Sequence, residues 1–276
     1  MSKYKHLMFP KYWRRSSLVD DINNGHFLPV RDEKEKHSFI REFWASDTEE
    51  LFKENLQKQG PDWYYAKHKV TYSLNSENYR TQEFNKIDWE NSIVIFGCSH
   101  VFGQGLDDND TLSSNISRLT GLYTVNMGVC GSSMMFSMGN QAILRTYYPR
   151  PKAVISLWPN IDRTTWFHAH SLEHMLPQHI KYNPNESRDL IMAFTEDRYH
   201  PIIQATLNRM SMIKMWEDYC PYYEGTTNLH DAESLDCDLI NRDSNARDCS
   251  HPGIEWAANA AKYIVERLNL CSSSAN

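Results

Sequence analysis

Three short apolar runs alternate with amphipathic segments in the middle of the chain, and this alternation constrains the fold more than any other feature. The runs lie at 93–97 (IVIFG), 123–128 (YTVNMG) and 153–158 (AVISLW). Segments with apolar residues at helical spacing separate them, and two more helices are predicted over 202–217 and 254–268. Strands that alternate with helices are typical of parallel sheets covered on both faces. We therefore predict an α/β fold, a three-layer α/β/α sandwich with a mostly parallel, flavodoxin-like sheet.

Capping residues predict where several helices begin and end. Asp110 is the predicted N-cap of the helix after the first run, and Gly121 is predicted to end that helix. The helix after the second run is predicted over 133–147. Nearer the N-terminus, Ser46 opens a capping-box pattern for a helix over 46–58.

The first 70 residues differ from the rest of the chain because they are rich in Lys, Glu, Trp and Tyr. A chain of 276 residues can hold one sizeable core and a smaller appendage. We predict that residues 1–70 form a partly helical extension packed on a core domain of residues 71–272. Residues 273–276 are predicted to be a frayed tail.

Charge, hydropathy and cysteine usage limit the cellular compartment and the classes of binding partner expected for this chain. A net charge of −6 is unlike the basic face of a nucleic-acid-binding protein, so no nucleic-acid partner is expected. No apolar run is long enough to span a membrane, and the N-terminus lacks the apolar core of a secretory signal. The six cysteines show no CxxC spacing, as in proteins with reduced thiols. These features predict a cytoplasmic protein, and they leave the oligomeric state open.

Polar, Gly-containing turns follow all three apolar runs, and one of them carries a candidate nucleophile. Ser99 stands just after the first run, in GCSH. The carboxyl ends of parallel strands form ligand sites in open α/β sheets. Near the C-terminus, Asp248 and His251 lie three residues apart, so the carboxylate can orient the imidazole while the other ring nitrogen faces a serine. We predict a Ser99, His251 and Asp248 triad.

Acyl transfer through a serine also needs hydrogen-bond donors aimed at the developing oxyanion. The predicted donors are the backbone N–H of Ser99, the backbone N–H of Gly131 and the side-chain amide of Asn160. Glycine at 131 suits a backbone that approaches the substrate closely. The alternative interpretation of Asn160 is an ordinary turn residue.

Four sequence blocks in this order resemble the SGNH (GDSL-type) hydrolases. FGCSHVFGQG matches the serine block, NMGVCG the glycine block, LWPN the asparagine block and DCSHP the final block. The stretch NSENYR (75–80) is similar to one that precedes the serine block in some members. Cys98 and His100 depart from the pattern on either side of the serine, and Trp158 and Pro159 depart from it in the third block.

The resemblance implies a serine esterase that needs no metal and no organic cofactor. Its substrate would be a small-molecule or glycan ester, with a short acyl group such as O-acetyl on a carbohydrate preferred. Two alternatives stay open: an O-acyltransferase with the same triad, and a catalytically silent binding module with this fold.

Aromatic and imidazole side chains near these blocks are candidates for the substrate pocket. His100, Trp158, Trp166 and Phe167 are the predicted pocket residues, and FHAHSLEHMLPQH (167–179) is interpreted as a covering loop. Its histidine spacing is not that of a His-Glu-x-x-His zinc site. Three thiols near these blocks are interpreted as buried small side chains, with a metal or redox role as the alternative; they are Cys98, Cys130 and Cys249.

Overall fold

The computed structural model describes six stretches of the chain. The predicted tail at 273–276, the first fifteen residues of the predicted extension and the predicted covering loop beyond 175 lie outside them. No helix in the described part is both long and apolar enough to cross a membrane. The described residues are 16–30, 37–168, 170–175, 199–226, 237–238 and 244–270.

Strands and helices are numbered along the chain within these residues. The strands are β1 (Phe39–Arg41), β2 (Tyr72–Leu74), β3 (Ser92–Gly97), β4 (Tyr123–Gly128), β5 (Ala153–Trp158), β6 (Thr164–Phe167), β7 (Leu172–Met175), β8 (Tyr222–Thr226) and β9 (Cys237–Asp238). The helices are α1 (Ser17–Asn23), α2 (Glu49–Gln59), α3 (Tyr64–Lys67), α4 (Ser99–Phe102), α5 (Leu112–Thr120), α6 (Met134–Tyr147), α7 (Tyr199–Trp216) and α8 (Ile254–Arg267).

A five-stranded parallel sheet forms the centre of the fold, in the order β4-β3-β5-β8-β9. Counted along the chain, the sheet order is second, first, third, fourth and fifth strand, which is the flavodoxin-like order. Strands β3 and β5 are buried along their whole length, as expected where helices cover both faces of a parallel sheet. The predicted fold class is confirmed.

The pleat of β3 sends alternate side chains into two separate cores. Ile93 and Ile95 pack with α5 and α8 on one face, whereas Val94 and Phe96 pack with α6 and Trp216 of α7 on the other. The three predicted strands and the main helices therefore lie where the apolar pattern indicated.

The N-terminal residues pack on this sandwich in two places. Phe27 and Leu28 join the core beside α6. Farther along, Trp44 and Tyr72 form a third core with Phe102 of α4. Strand β1 pairs antiparallel with β2, so this pairing spans the boundary predicted at residue 70. The division into an extension and a core domain stays a prediction.

Two predicted helix caps are wrong. Helix α2 begins at Glu49, and Thr48 caps it by accepting a hydrogen bond from the backbone N–H three residues later, so Ser46 is not the cap. Helix α5 is capped in the same way by Thr111, while Asp110 ends a short 3-10 turn. In both cases a threonine with extended backbone lies nearer the first helical turn. Gly121 ends α5 in the left-handed conformation, as predicted.

Candidate active site

Strand β3 delivers Ser99 to the carboxyl edge of the sheet. The strand ends at Gly97, Cys98 follows with a non-helical backbone, and Ser99 is the first residue of α4. The first N–H groups of a helix have no partner within the helix. The backbone N–H of Ser99 is therefore available to a bound group, beside a hydroxyl that is almost completely buried.

A continuous hydrogen-bonded chain joins Ser99, His251 and Asp248. The Nε2 atom of His251 lies 2.9 Å from the Ser99 Oγ atom. Its Nδ1 atom lies 2.5 Å from Asp248 Oδ2. An ionised carboxylate can only accept hydrogen bonds, so Nδ1 carries the proton and Nε2 is the nitrogen that accepts from the serine. This arrangement matches the orientation that a serine nucleophile needs.

The Asp248 carboxylate is held by the turn in which it lies. Its Oδ1 atom accepts the backbone N–H groups of Ser250 and His251, each at 3.0 Å. Burial by itself raises the pKa of Asp248, but the hydrogen bond and charge interaction with His251, together with these N–H groups, outweigh it. The pKa of Asp248 therefore lies below its ordinary value, and the group is ionised at neutral pH.

The loop after α4 and the loop that carries the acid and the base approach each other closely. Gly105 has a φ of +77°, and a Cβ atom there would lie 2.8 Å from the Cβ of Ala246. The backbone N–H of Arg247 donates to the Gly105 carbonyl oxygen at 3.1 Å. Glycine at 105 is thus required by both its conformation and this contact.

Sequence reasoning missed an ion pair that anchors the same loop to the N-terminal residues. The guanidinium of Arg247, directly before Asp248, lies 2.7 Å from the Asp47 carboxylate, and both side chains are fully buried. The Tyr72 hydroxyl also donates to Asp47 and accepts the N–H of Gly105 at 2.8 Å. We call Asp47, Tyr72 and Arg247 the clamp.

The arginine of NSENYR stabilises the loop that follows Ser99. Arg80 is buried and forms an ion pair with Asp108 at 2.8 Å. Its guanidinium also donates to four backbone carbonyl groups, those of Thr71, Phe102, Gly103 and Leu106. Arg80 is therefore a structural residue of this site.

The two other predicted oxyanion residues differ in their surroundings. Gly131 lies just beyond β4 with a φ of +79°, a backbone conformation that residues other than glycine rarely adopt. Asn160 is exposed, and its Oδ1 atom accepts the N–H of Asp162 at 3.0 Å. This hydrogen bond is the turn-forming contact that the alternative interpretation of Asn160 predicted.

The predicted pocket residues lie in three different environments. His100 packs edge-on against His251, with ring centroids 5.7 Å apart. Trp158 is only 3% exposed and packs with Met134 in a small core. Trp166 and Phe167 lie on β6 and are 39% and 40% exposed. Among the four, His100 is the residue whose ring packs directly against a member of the triad.

The thiols and histidines near the site show no clustering of metal ligands in the described part of the chain. Burial raises the pKa of the Cys130 thiol well above its ordinary value, and its Sγ atom donates to the Gln104 side chain. His170 contacts Ser17, whereas His174 contacts Thr165, so these two imidazoles have separate partners.

Several solved esterase structures resemble the chain. A Corynascus thermopiles (Myceliophthora fergusii) carbohydrate esterase family 2 enzyme is 13% identical over 65% of this chain and 67% of its own, with a TM-score of 0.39. The SGNH-hydrolase family esterase AlinE4 is 12% identical over 67% of this chain and 75% of its own, with a TM-score of 0.29.

An acetyl xylan esterase from the rumen bacterium Butyrivibrio proteoclasticus is 12% identical over 66% of this chain, with a TM-score of 0.34. The chain spans 64% of that esterase's length. No protein-family model and no curated protein matches the chain. These likenesses concern the fold alone.

Proposed function

We propose that the protein hydrolyses carboxylic esters through Ser99, His251 and Asp248. The observation that supports this proposal is the hydrogen-bonded chain from the serine hydroxyl through the imidazole to a buried carboxylate. A His251 remote from Ser99 would have favoured the silent-module alternative, and the 2.9 Å distance between the two side chains supports the esterase proposal instead. The preferred substrate is an ester of a short acyl group, such as O-acetyl on a carbohydrate.

The proposed reaction has two steps. Ser99 Oγ attacks the ester carbonyl while His251 Nε2 takes its proton, and the protonated imidazole then gives that proton to the leaving alkoxide as the C–O bond breaks. Water attacks the acyl-enzyme with His251 again as the base, which releases the carboxylic acid and restores the serine. The backbone N–H groups of Ser99 and Gly131 and the Asn160 amide are the proposed oxyanion donors.

Labelling with a fluorophosphonate probe tests this proposal, because the probe reacts only with an activated serine. We expect one adduct, located on Ser99 by mass mapping and absent from Ser99→Ala. The Cys98→Ser variant is the matched control, since it changes the neighbouring side chain and leaves the triad intact. It should keep the adduct and most of the turnover of 4-nitrophenyl acetate. A folded protein that forms no adduct, or loses it on Cys98→Ser only, would contradict the assignment.

A further inference from the structure

Arg163 lies in the turn between β5 and β6, three residues after Asn160. Its backbone N–H donates to the Asn160 carbonyl oxygen at 3.1 Å, which ties the turn to this candidate oxyanion residue. The side chain is half-buried, and its Nη1 atom is buried without a hydrogen-bond partner. Within the described residues, no carboxylate forms an ion pair with this guanidinium, in contrast to the pairs of other arginines.

Two other arginines show how this fold normally accommodates a buried guanidinium. Arg80 pairs with Asp108 and donates to four carbonyl groups, and Arg247 pairs with Asp47. Buried polar groups are nearly always hydrogen-bonded because an unpaired one costs free energy, and a charged one costs more. The unpaired edge of Arg163 is therefore the kind of feature that a bound ligand would complete.

The charge of Arg163 lies close to the predicted oxyanion side of the site. It opposes the effect of burial on the pKa of Cys130, which directly precedes Gly131. It also helps burial to lower the pKa of His174 of β7. A Cβ atom built on Gly131 would have the Cβ of His174 as its neighbour at 3.7 Å. Strand β7 thus lies against the turn after β4 and pairs with β6, the strand that directly follows Arg163.

His174 adds hydrogen-bonding capacity here without adding charge. Its Nδ1 atom lies 3.0 Å from Thr165 Oγ1, its ring packs edge-on against Phe136, and its Nε2 atom is buried without a partner. Burial, helped by the charge of Arg163, lowers the pKa of His174 to about 4. The imidazole is neutral at pH 7, so Arg163 supplies the fixed positive charge of this corner.

We propose that Arg163 binds an anionic group of the substrate, so that the preferred ester carries a carboxylate near the scissile bond. This inference rests on the proposed function, which it narrows to acidic esters. A guanidinium suits this task because its planar donors match a carboxylate with two parallel hydrogen bonds and it stays charged at every physiological pH.

The test compares esters that differ in one negative charge. For charge on the acyl side, the pair is 4-nitrophenyl hydrogen succinate and 4-nitrophenyl butyrate. For charge on the alcohol side, it is acetylated methyl glucuronoside and acetylated methyl glucoside. We expect the anionic member of one pair to have a kcat/KM roughly 10- to 100-fold higher, as a charge-assisted hydrogen bond implies. The pair that shows the preference identifies the side on which the charge is recognised.

Variants separate recognition of the charge from damage to the site. Arg163→Gln should lose the preference, because its kcat/KM on the anionic ester falls roughly 10- to 100-fold more than its kcat/KM on the neutral ester. Arg163→Lys should keep part of the preference, because the charge remains and the paired geometry is lost. Arg150→Gln is the matched control, since Arg150 is exposed near the opposite edge of the sheet and its loss changes the net charge equally.

Two results would overturn the inference. One is an active wild-type enzyme without preference for either anionic ester, and the other is an equal loss on charged and neutral esters in Arg163→Gln. Calorimetric binding of the same esters to Ser99→Ala tests the anion site without turnover, and equal affinity for both members would also refute it. Absence of turnover and of a fluorophosphonate adduct instead contradicts the hydrolase proposal, so the two failures are distinguishable.

Discussion

Two regions adjoin the proposed active site, and they differ in whether their buried polar groups have hydrogen-bond partners. In the clamp, the Asp47 carboxylate meets the Arg247 guanidinium and the Tyr72 hydroxyl, and all three side chains are fully buried. In the hairpin of β6 and β7 with its preceding turn, Arg163 and His174 each have a buried nitrogen without a partner.

The contrast indicates that the two regions have different roles beside the proposed active site: one holds a loop rigidly, and the other leaves polar groups for a ligand. A buried polar network in which every member is paired is rigid, since the low local dielectric strengthens each of its bonds. Such a network suits the loop that carries Asp248 and His251, whose geometry must be held. Unpaired polar groups are costly in a folded protein alone, and they are tolerated where a ligand supplies the missing partner.

The largest expected effect comes from breaking the clamp. Asp47→Asn removes one charge and leaves the Arg247 guanidinium buried and unpaired, which we expect to lower the free energy of unfolding by about 3–5 kcal/mol. Since Arg247 directly precedes Asp248, kcat should fall more than KM changes. Urea unfolding and steady-state kinetics of the same samples measure both effects.

A surface ion pair provides the control for this substitution. Asp62→Asn breaks the exposed pair with Lys67, in which the two side chains are 96% and 59% exposed, and should cost less than about 1 kcal/mol. Equal losses in Asp47→Asn and Asp62→Asn, or an Asp47→Asn protein with wild-type stability, would mean that the clamp does not hold the loop.

The sequence was informative where the deciding contacts are local. The apolar runs predicted β3, β4 and β5 because a strand buried on both faces must be apolar throughout. The spacing of Asp248 and His251 pointed to their hydrogen bond, because one tight turn joins them. The main helices also follow from their apolar faces, whereas caps at 46 and 110 were misplaced because neighbouring threonines compete for the same N–H groups.

The sequence was uninformative where partners are distant along the chain. Arg247 contacts Asp47 across 200 positions, and no pattern in one sequence links the two. Arg163 is inconspicuous for the opposite reason, because its distinguishing property is a missing partner and only three-dimensional surroundings reveal it. Trp158 was predicted as a pocket residue because it is an aromatic side chain within the asparagine block, and its burial in the core became visible only with α6 and α7 in position.

A smaller effect is expected from the pH dependence of His174 in the hairpin. Its pKa in the fold is about 4, below the ordinary value of 6.5, so the unfolded chain takes up the proton first as the pH falls. The contribution of His174 is fully present above pH 6.5 and is lost between about pH 6.5 and 4. At pH 4.5 the loss amounts to about 2.5 kcal/mol.

Comparison with a variant isolates this contribution from the titrating carboxylates. His174→Gln should show a smaller drop in unfolding free energy between pH 7 and pH 4.5 than the wild type, measured in urea at both values. Asp47→Asn should retain the full contribution of His174 to the drop, since the clamp contains no histidine. A drop of the same size in His174→Gln and the wild type would show that the imidazole is not held neutral by the fold.

The smallest effect on stability is expected when glutamine replaces the arginine of the turn before the hairpin, and not the arginine of the clamp. Arg163→Gln removes a charge that has no partner among the described residues, so the unfolding free energy should change by less than about 1 kcal/mol in either direction. Arg247→Gln should instead cost about 3–5 kcal/mol, because it leaves the buried Asp47 carboxylate unpaired. The pair of arginine variants, unfolded in urea without substrate, therefore compares the two regions directly. If Arg163→Gln lost as much stability as Arg247→Gln, the Arg163 guanidinium would be part of the structural framework of the site, and its binding role would lose its physical basis.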